Sequence, residues 1–327
     1  MVHKQMITIE GETYGLFLSD NNSEKPIILY VHGGPGSPEY ALFYTKLPNT
    51  YLSEFNVCYY DQRGCGLSFK TNEPVTLTSH INDVIKLANY LRSHYNQDKV
   101  ILMGHSFGTY LCIEAMRLEP EIFSAYIGIA QLVNTHASEV SIYDKLLQLC
   151  ESNEDEKGLR LLEMNRLEME SMSSNYMKNI KTPLIMRYKA GLMHRDLPRN
   201  FVMGRLLSSR DYTLKEKIWY LRGLKKSHEV LFDSVKDIDL SGAVLDINIP
   251  MLFVHGAHDG QVSLECAYEY FERLSHDSKK FIVFNDTAHF PNIEKPDQFS
   301  SCVSTFLTQF LRITDQTKPP SESFHTA

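Results

Sequence analysis

The sequence has few of the features that mark secreted, zinc-binding or membrane proteins. Its six cysteines are scattered along 327 residues without a Cys-x-x-Cys pair, so neither a disulfide framework nor a zinc site is expected. Its apolar runs stay below the roughly 18 residues that a membrane-spanning helix needs. The first residues, Met1 to Gln5, contain no signal-peptide core. These absences predict a cytoplasmic protein with reduced thiols and no membrane partner.

An excess of positive charge is also absent. The 33 Lys and Arg residues are outnumbered by 40 Asp and Glu, which gives a net charge of −7 and does not favour nucleic acid as a partner. The hydrophobic fraction of 43% and the charged fraction of 22% are ordinary for soluble globular proteins, which excludes a disordered or fibrous chain. The length allows one large domain or one domain with a sizeable insertion.

Strand and helix patterns alternate over the first 130 residues and again after residue 248. Short apolar or alternating runs predict strands at 7–10, 14–18, 26–31, 56–60, 99–103, 125–130, 250–256 and 280–284. Apolar residues recur at helical spacing between these runs, for example over 81–91. This alternation predicts an α/β protein whose mainly parallel sheet is covered by helices on both faces.

From about residue 131 to 247 the strand patterns stop, and Met, Leu, Lys and Glu dominate at helical spacing. We therefore predict a helical insertion over 131–247 in a core formed by 1–130 and 248–313. Residues 314–327 are rich in Ser, Thr and Pro and are predicted to form a flexible tail. Because functional sites of such sheets lie at the carboxyl ends of the strands, the loops at that edge are the ones to search.

The motif Gly104-His105-Ser106-Phe107-Gly108 follows one predicted buried strand and precedes a predicted helix. A turn this sharp strains the Ser106 backbone and crowds its neighbours, and the flanking glycines relieve the crowding. The Ser106 hydroxyl then lies at a helix N-terminus, where the helix dipole favours developing negative charge. The motif predicts a nucleophilic serine.

A serine hydroxyl needs a base, and His289 is the predicted one because it follows the last predicted strand at the same sheet edge. Asp259 also follows a strand and is predicted to orient His289 and stabilise its protonated form. The order Ser106, Asp259, His289 is the one expected for this type of sheet hydrolase. Two other carboxylates compete with Asp259. Asp286 is the weaker candidate because it is too close to His289 in sequence to approach its ring correctly. Asp233 lies in the helical insertion, where a surface charge is expected.

Acyl transfer also needs donors for the oxyanion of the tetrahedral intermediate. The N–H of Phe107, next to the nucleophile, is one candidate. The loop His32-Gly33-Gly34-Pro35-Gly36 follows an earlier strand and supplies the second, because without side chains the N–H of Gly34 can reach the substrate.

Other polar residues near the strand ends are assigned structural roles. Asp61 and Arg63, in the motif Asp61-Gln62-Arg63-Gly64, are predicted to form an internal ion pair. Four further histidines beside turns or candidate catalytic residues are interpreted as buried or loop-stabilising residues: His32, His105, His255 and His258.

Together these motifs resemble the α/β-hydrolase superfamily and, within it, the proline iminopeptidase (prolyl aminopeptidase) family, over about residues 5–312. The His-Gly-Gly-Pro-Gly loop and the Asp-Gln-Arg-Gly motif carry the resemblance to the proline iminopeptidase family. It implies an eight-stranded sheet, a helical cap over the site, no metal or organic cofactor, and Gly34 and Phe107 as oxyanion donors. The family's Gly-Gly-Ser-Trp-Gly turn differs here at His105 and Phe107.

The leading hypothesis is a serine hydrolase that works through an acyl-enzyme and releases N-terminal proline, or a similar residue, from short peptides or small molecules. The resemblance implies that cap residues bind the substrate's amino group, and the candidate substrate-binding residues are Gly33, Glu168 and Trp219. A carboxylesterase or lactone hydrolase acting on small acyl esters remains an alternative. A ligand-binding protein on the same scaffold, without turnover, remains another.

Overall fold

A computed structural model describes residues 2–43, 54–198, 201–242 and 248–316. Its central feature is an eight-stranded sheet in the order β1-β2-β4-β3-β5-β6-β7-β8. The strands are β1 (Val2–Ile9), β2 (Glu12–Ser19), β3 (Ile27–Val31), β4 (Asn56–Asp61), β5 (Val100–His105), β6 (Phe123–Ile129), β7 (Met251–Gly256) and β8 (Lys279–Phe284). The hairpin β1–β2 and the pair β2–β4 are antiparallel, and the other pairings are parallel. The predicted fold class and strands are confirmed.

Apolar residues on both faces of the sheet form the core. Along β3, Ile27, Leu29 and Val31 belong to one buried cluster, while Ile28 and Tyr30 belong to a second. This alternation buries both faces, as the uninterrupted apolar run of β3 predicts. The helices of the core are α1 (Tyr40–Phe43), α2 (Leu77–Tyr95), α3 (Phe107–Leu118), α10 (Leu264–Arg273), α11 (Pro291–Glu294) and α12 (Pro296–Gln316).

The elements that the structure describes between β6 and β7 are helices. They are α4 (Thr135–Ser152), α5 (Glu156–Met164), α6 (Arg166–Glu170), a π-helical turn (Tyr176–Lys181), α7 (Thr182–Arg187), α8 (Phe201–Ser208) and α9 (Leu214–Lys236). Ile142, Leu162 and Tyr176 belong to a buried cluster of their own in this segment. None of the helices in the described ranges combines the length and the hydropathy that crossing a bilayer requires.

The last helix is longer than the sequence predicts. Helix α12 continues to Gln316, so the first three residues of the predicted tail, 314–316, are helical. Extending a helix adds one hydrogen bond per residue, and residues 314–316 include no proline that would break it. The remainder of the predicted tail, 317–327, lies outside the described residues, as do 243–247 of the predicted insertion.

The predicted ion pair between Asp61 and Arg63 is wrong. The Arg63 guanidinium instead binds the Asp83 carboxylate of α2 through two bonds of 2.5 and 2.8 Å. Asp61 accepts hydrogen bonds from the Leu67 N–H (2.7 Å) and the Tyr212 hydroxyl (3.0 Å), and burial raises its pKa to about 7. The planar guanidinium prefers a bidentate carboxylate, and that carboxylate comes from a helix distant in sequence.

Candidate active site

Ser106 occupies the sharp turn between β5, which ends at His105, and α3, which begins at Phe107. Its backbone angles are φ 51° and ψ −123°, so the strain expected at this position is present. The turn also lies tightly against the sheet, since a Cβ atom on Gly108 would be 2.1 Å from the Val31 carbonyl oxygen. Glycine is therefore required there for steric reasons.

The glycine-rich loop after β3 lies against this turn. A Cβ atom on Gly33 would be 3.0 Å from Ser106 Cβ. The Gly33 N–H donates to Glu39 Oε1 at 2.9 Å and is thus already occupied. The neighbouring Gly34 has φ +127°, which glycine adopts readily. The first N–H groups of a helix have no acceptor within that helix. Phe107 is the first residue of α3, so its N–H takes no part in the hydrogen bonds within α3.

His289 and Asp259 are in direct contact. The His289 Nδ1 atom lies 2.9 Å from Asp259 Oδ2, and both side chains are buried. Asp259 Oδ1 accepts from the N–H groups of Gln261 (2.8 Å) and Val262 (3.1 Å). Burial alone would raise the pKa of Asp259, but its electrostatic interactions and hydrogen bonds with His289 and His255 hold it well below its usual range. The carboxylate is therefore ionised at neutral pH.

The two competing carboxylates lie elsewhere. Asp286 is exposed and 3.7 Å from Lys295 Nζ, and Asp233 is exposed and 3.7 Å from Lys236 Nζ. Of the three carboxylates that the sequence offers, Asp259 is the one bonded to His289.

His105 connects the serine turn to His289. Its Nε2 atom lies 2.9 Å from the His289 carbonyl oxygen, and the two ring centroids are 4.7 Å apart. Ser106 is the next residue in the chain. In the part of the chain that the structure describes, Ser106 Oγ makes no hydrogen bond to the His289 ring. Such catalytic bonds often tighten only when a substrate binds.

The two candidate binding residues in the helical segment make local contacts. Glu168 accepts hydrogen bonds from Ser173 Oγ (3.0 Å) and from the Asn175 amide. Trp219 stacks on Phe69 with the ring centroids 6.0 Å apart, and Lys215 Nζ lies 4.9 Å from its ring. None of these contacts involves Ser106, Asp259 or His289, and a role for either residue in substrate binding stays a prediction.

Two charged residues near the site were missed by the sequence analysis. Glu39 accepts hydrogen bonds from the Gly33 N–H and from His105 Nδ1, the latter at 2.7 Å. Lys145 of α4 donates to the carbonyl oxygens of Ala257 (2.9 Å) and Asp259 (3.1 Å), so it holds the turn that carries Asp259. Neither residue belongs to a local pattern, because the partners of each are distant in sequence.

An apolar cavity of about 490 Å³ lies in the helical segment, and none of Ser106, Asp259 and His289 lines it. Its wall includes Gly191 and Leu192, whose carbonyl oxygens accept hydrogen bonds from the N–H groups of His289 (3.4 Å) and Phe290 (3.1 Å). Among its other lining residues are Ile185, Met193, Phe201, Leu206, Leu221 and Leu224. In the sequence, these apolar residues are indistinguishable from the buried positions of ordinary amphipathic helices.

The sheet order and the sharp strand-to-helix turn at Ser106 are those of the α/β-hydrolase fold. The family model described as alpha/beta hydrolase fold matches residues 26–296, and the chain belongs to this family.

Within the family, this chain is 29% identical over 311 residues to the probable aminopeptidase YbaC of Bacillus subtilis (strain 168). This match covers 92% of each of the two chains. It is 24% identical over 320 residues to a proline iminopeptidase of Heyndrickxia coagulans, covering 94% of this chain and 99% of the relative. The crystal structure of proline iminopeptidase from Mycobacterium smegmatis has the same fold, with a TM-score of 0.69 at 14% identity over 94% of this chain and 98% of the other. The predicted resemblance is confirmed.

Proposed function

We propose that the protein is a serine hydrolase with the triad Ser106, His289 and Asp259. The observation that carries this proposal is the 2.9 Å bond between His289 Nδ1 and the buried Asp259 carboxylate, beside the strained Ser106 turn. Because a carboxylate only accepts hydrogen bonds, Nδ1 carries the proton and Nε2 is left unprotonated as the base.

The proposed reaction has two halves. His289 Nε2 takes the Ser106 hydroxyl proton while Oγ bonds to the substrate carbonyl carbon, and the N–H groups of Gly34 and Phe107 stabilise the oxyanion. The bond to the leaving group then breaks, and His289 transfers its proton to that group. In the second half, His289 takes a proton from water, the hydroxide attacks the acyl carbon, and Ser106 recovers its proton as the acid leaves.

For the substrate, we propose an amide that follows an N-terminal proline or a similar residue. The support comes from relatives named as a probable aminopeptidase and as proline iminopeptidases. We further propose that the helical insertion, 131–247, acts as a cap on the core formed by 1–130 and 248–313. A cap that closes part of the site would favour short peptides over folded proteins.

One observation favours the second candidate, a carboxylesterase or lactone hydrolase. The cavity whose wall residue Gly191 accepts from the His289 N–H is lined mainly by apolar side chains, which would accept the acyl chain of a small ester. The same triad would suffice for this reaction, because an ester is cleaved more easily than an amide and no amino group need be recognised.

A matched pair of substrates separates the two candidates. We expect proline p-nitroanilide to have a kcat/KM at least about tenfold higher than its N-acetylated form, because a site that binds the free amine loses its partner when the amine is blocked. Short p-nitrophenyl esters serve as the third substrate, and Ser106→Ala gives the background rate. Equal rates for the free and blocked anilides, with faster turnover of the esters, would favour the esterase.

The pH dependence of turnover tests His289 as the base. Burial lowers the pKa of His289 from its ordinary value, although Asp259 opposes the shift. Protonated His289 cannot accept the serine proton, so kcat/KM should stay high near pH 7 and fall as the pH drops through a pKa below about 6.5. The profile is measured from about pH 4 to 8.5 with an uncharged ester, and tyrosine fluorescence checks that the protein stays folded. A midpoint above the ordinary value, or no acid limb, would contradict the assignment.

A further inference from the structure

Glu39 is a buried carboxylate that binds two residues of the candidate site. It lies just before α1 and is 3% exposed. Oε1 accepts from the Gly33 N–H at 2.9 Å and lies 2.7 Å from His105 Nδ1. Oε2 accepts from the Tyr30 hydroxyl at 2.5 Å. One side chain therefore connects β3, the glycine-rich loop and the serine turn.

His105 has an acceptor at each ring nitrogen. Nδ1 faces the Glu39 carboxylate, and Nε2 lies 2.9 Å from the His289 carbonyl oxygen, which can only accept. When Glu39 is ionised, both nitrogens must therefore carry protons. Burial alone would lower the pKa of His105, but Glu39 raises it above its usual value. The pKa of Glu39 is lowered in turn, because His105 outweighs the effect of burial.

We propose that Glu39 and His105 form a buried ion pair that positions the glycine-rich loop, Ser106 and His289 relative to one another. The inference rests on the proposed function. The carboxylate fixes the Gly33 amide, which precedes the proposed oxyanion donor Gly34. The imidazolium precedes Ser106 in the chain and holds the His289 main chain. Both are positioning residues, since their effect on the reaction passes through these neighbours.

The other titratable groups around the pair do not neutralise it. The Tyr30 hydroxyl is a neutral donor, because burial raises its pKa well above the usual value. His32 is uncharged at neutral pH, because burial lowers its pKa to about 4. His289, across from His105, has a lowered pKa and is paired with Asp259. Glu39 and His105 are thus each other's charge partners, in a place where an unpaired charge would be costly.

Glutamine substitutions test the pair with little change in shape. We expect Glu39→Gln and His105→Gln each to lower kcat about 10- to 100-fold while KM changes less than about threefold, because small misplacements of reacting groups cost rate rather than binding. The double variant should be no slower than the slower single variant, because both changes break one unit. Losses that multiply in the double variant, or a wild-type kcat in folded Glu39→Gln, would overturn the inference.

Glu12→Gln is the matched control. Glu12 is also 3% exposed and pairs with a buried cation, Arg63, at 3.2 Å, but it touches none of the residues of the candidate site. This variant should lower the thermal midpoint and leave kcat within about twofold. A loss of kcat equal to that of Glu39→Gln would reduce the pair to a stabilising contact. If Glu39→Gln does not fold, His105→Gln carries the test alone, and a wild-type kcat in that folded variant would overturn the inference.

Imidazole ¹⁵N spectra give a readout that does not depend on turnover. At pH 7.5 we expect His105 to show two protonated ring nitrogens in the wild-type protein and one in Glu39→Gln. A neutral His105 in the wild type would overturn the ion pair whether or not the protein is a hydrolase. Failure of the proposed function would be detected separately, because the Ser106→Ala variant would then keep the turnover of the wild type.

Discussion

Ser106→Ala should lower kcat by at least about 10⁴-fold on whichever substrate the wild type prefers. The substitution removes the atom that forms the acyl bond and leaves the backbone unchanged, because alanine occupies the same strained turn that serine does. The hydrogen bonds recorded around the turn use the Ser106 backbone and not its hydroxyl, as in the 2.5 Å bond from Thr109 Oγ1 to the Ser106 carbonyl oxygen. Stability should therefore change by less than about 1 kcal/mol.

Initial rates and urea unfolding of the two proteins measure both halves of this prediction. Ser263→Ala is an informative control, because the Ser263 hydroxyl caps helix α10 by accepting from the Cys266 N–H at 3.1 Å. We expect this variant to lose about 1 kcal/mol of stability while its turnover is kept. A Ser106→Ala protein with more than a few per cent of wild-type activity would show that another residue is the nucleophile.

Asp259→Asn is expected to have the second largest effect, a fall in kcat of about 10³- to 10⁴-fold. Asparagine preserves the shape and can still accept from the N–H groups of Gln261 and Val262. Its amide would donate to His289 Nδ1, which puts the ring proton on Nε2, so the base loses the lone pair that takes the serine proton. The missing negative charge also withdraws stabilisation from protonated His289.

The matched variant is Asp286→Asn, which changes an exposed carboxylate close to His289 in sequence. Its partner is Lys295 at 3.7 Å, so kcat should remain within about twofold of wild type. Steady-state kinetics of both variants with one substrate, at a pH on the plateau, make the comparison. A loss below tenfold for Asp259→Asn, or an equal loss for Asp286→Asn, would refute the assignment of the orienting carboxylate.

The features that the sequence predicts well depend on local patterns. The apolar run of β3 and the turn at Ser106 are encoded within a few residues, because strand burial and a tight turn each constrain their own neighbours. The pairing of Asp259 with His289 could be predicted despite a separation of 30 residues. Both follow parallel strands, and the ends of such strands meet at one edge of the sheet.

The contacts that the sequence analysis misses depend on partners distant in sequence. Arg63 binds Asp83 and not the nearby Asp61, and Glu39 binds His105 across 66 residues. No spacing rule identifies such partners, since tertiary packing decides them: Asp83 reaches Arg63 from α2, and Glu39 reaches His105, the last residue of β5, from the loop before α1. His105 was interpreted as a buried or loop-stabilising residue, and its contacts with Glu39 and the His289 carbonyl oxygen give it the further role proposed above.

The central claim is tested most directly by a crystal structure of the protein after reaction with a fluorophosphonate. The account predicts a covalent bond between phosphorus and Ser106 Oγ, with the phosphonyl oxygen about 3 Å from the N–H groups of Gly34 and Phe107. The His289 ring should lie against the adduct with Nδ1 still bonded to Asp259. An unmodified Ser106 in folded protein after long exposure would contradict it and favour a protein that binds ligands without turnover. An adduct on another side chain would contradict it by showing that another residue is the nucleophile.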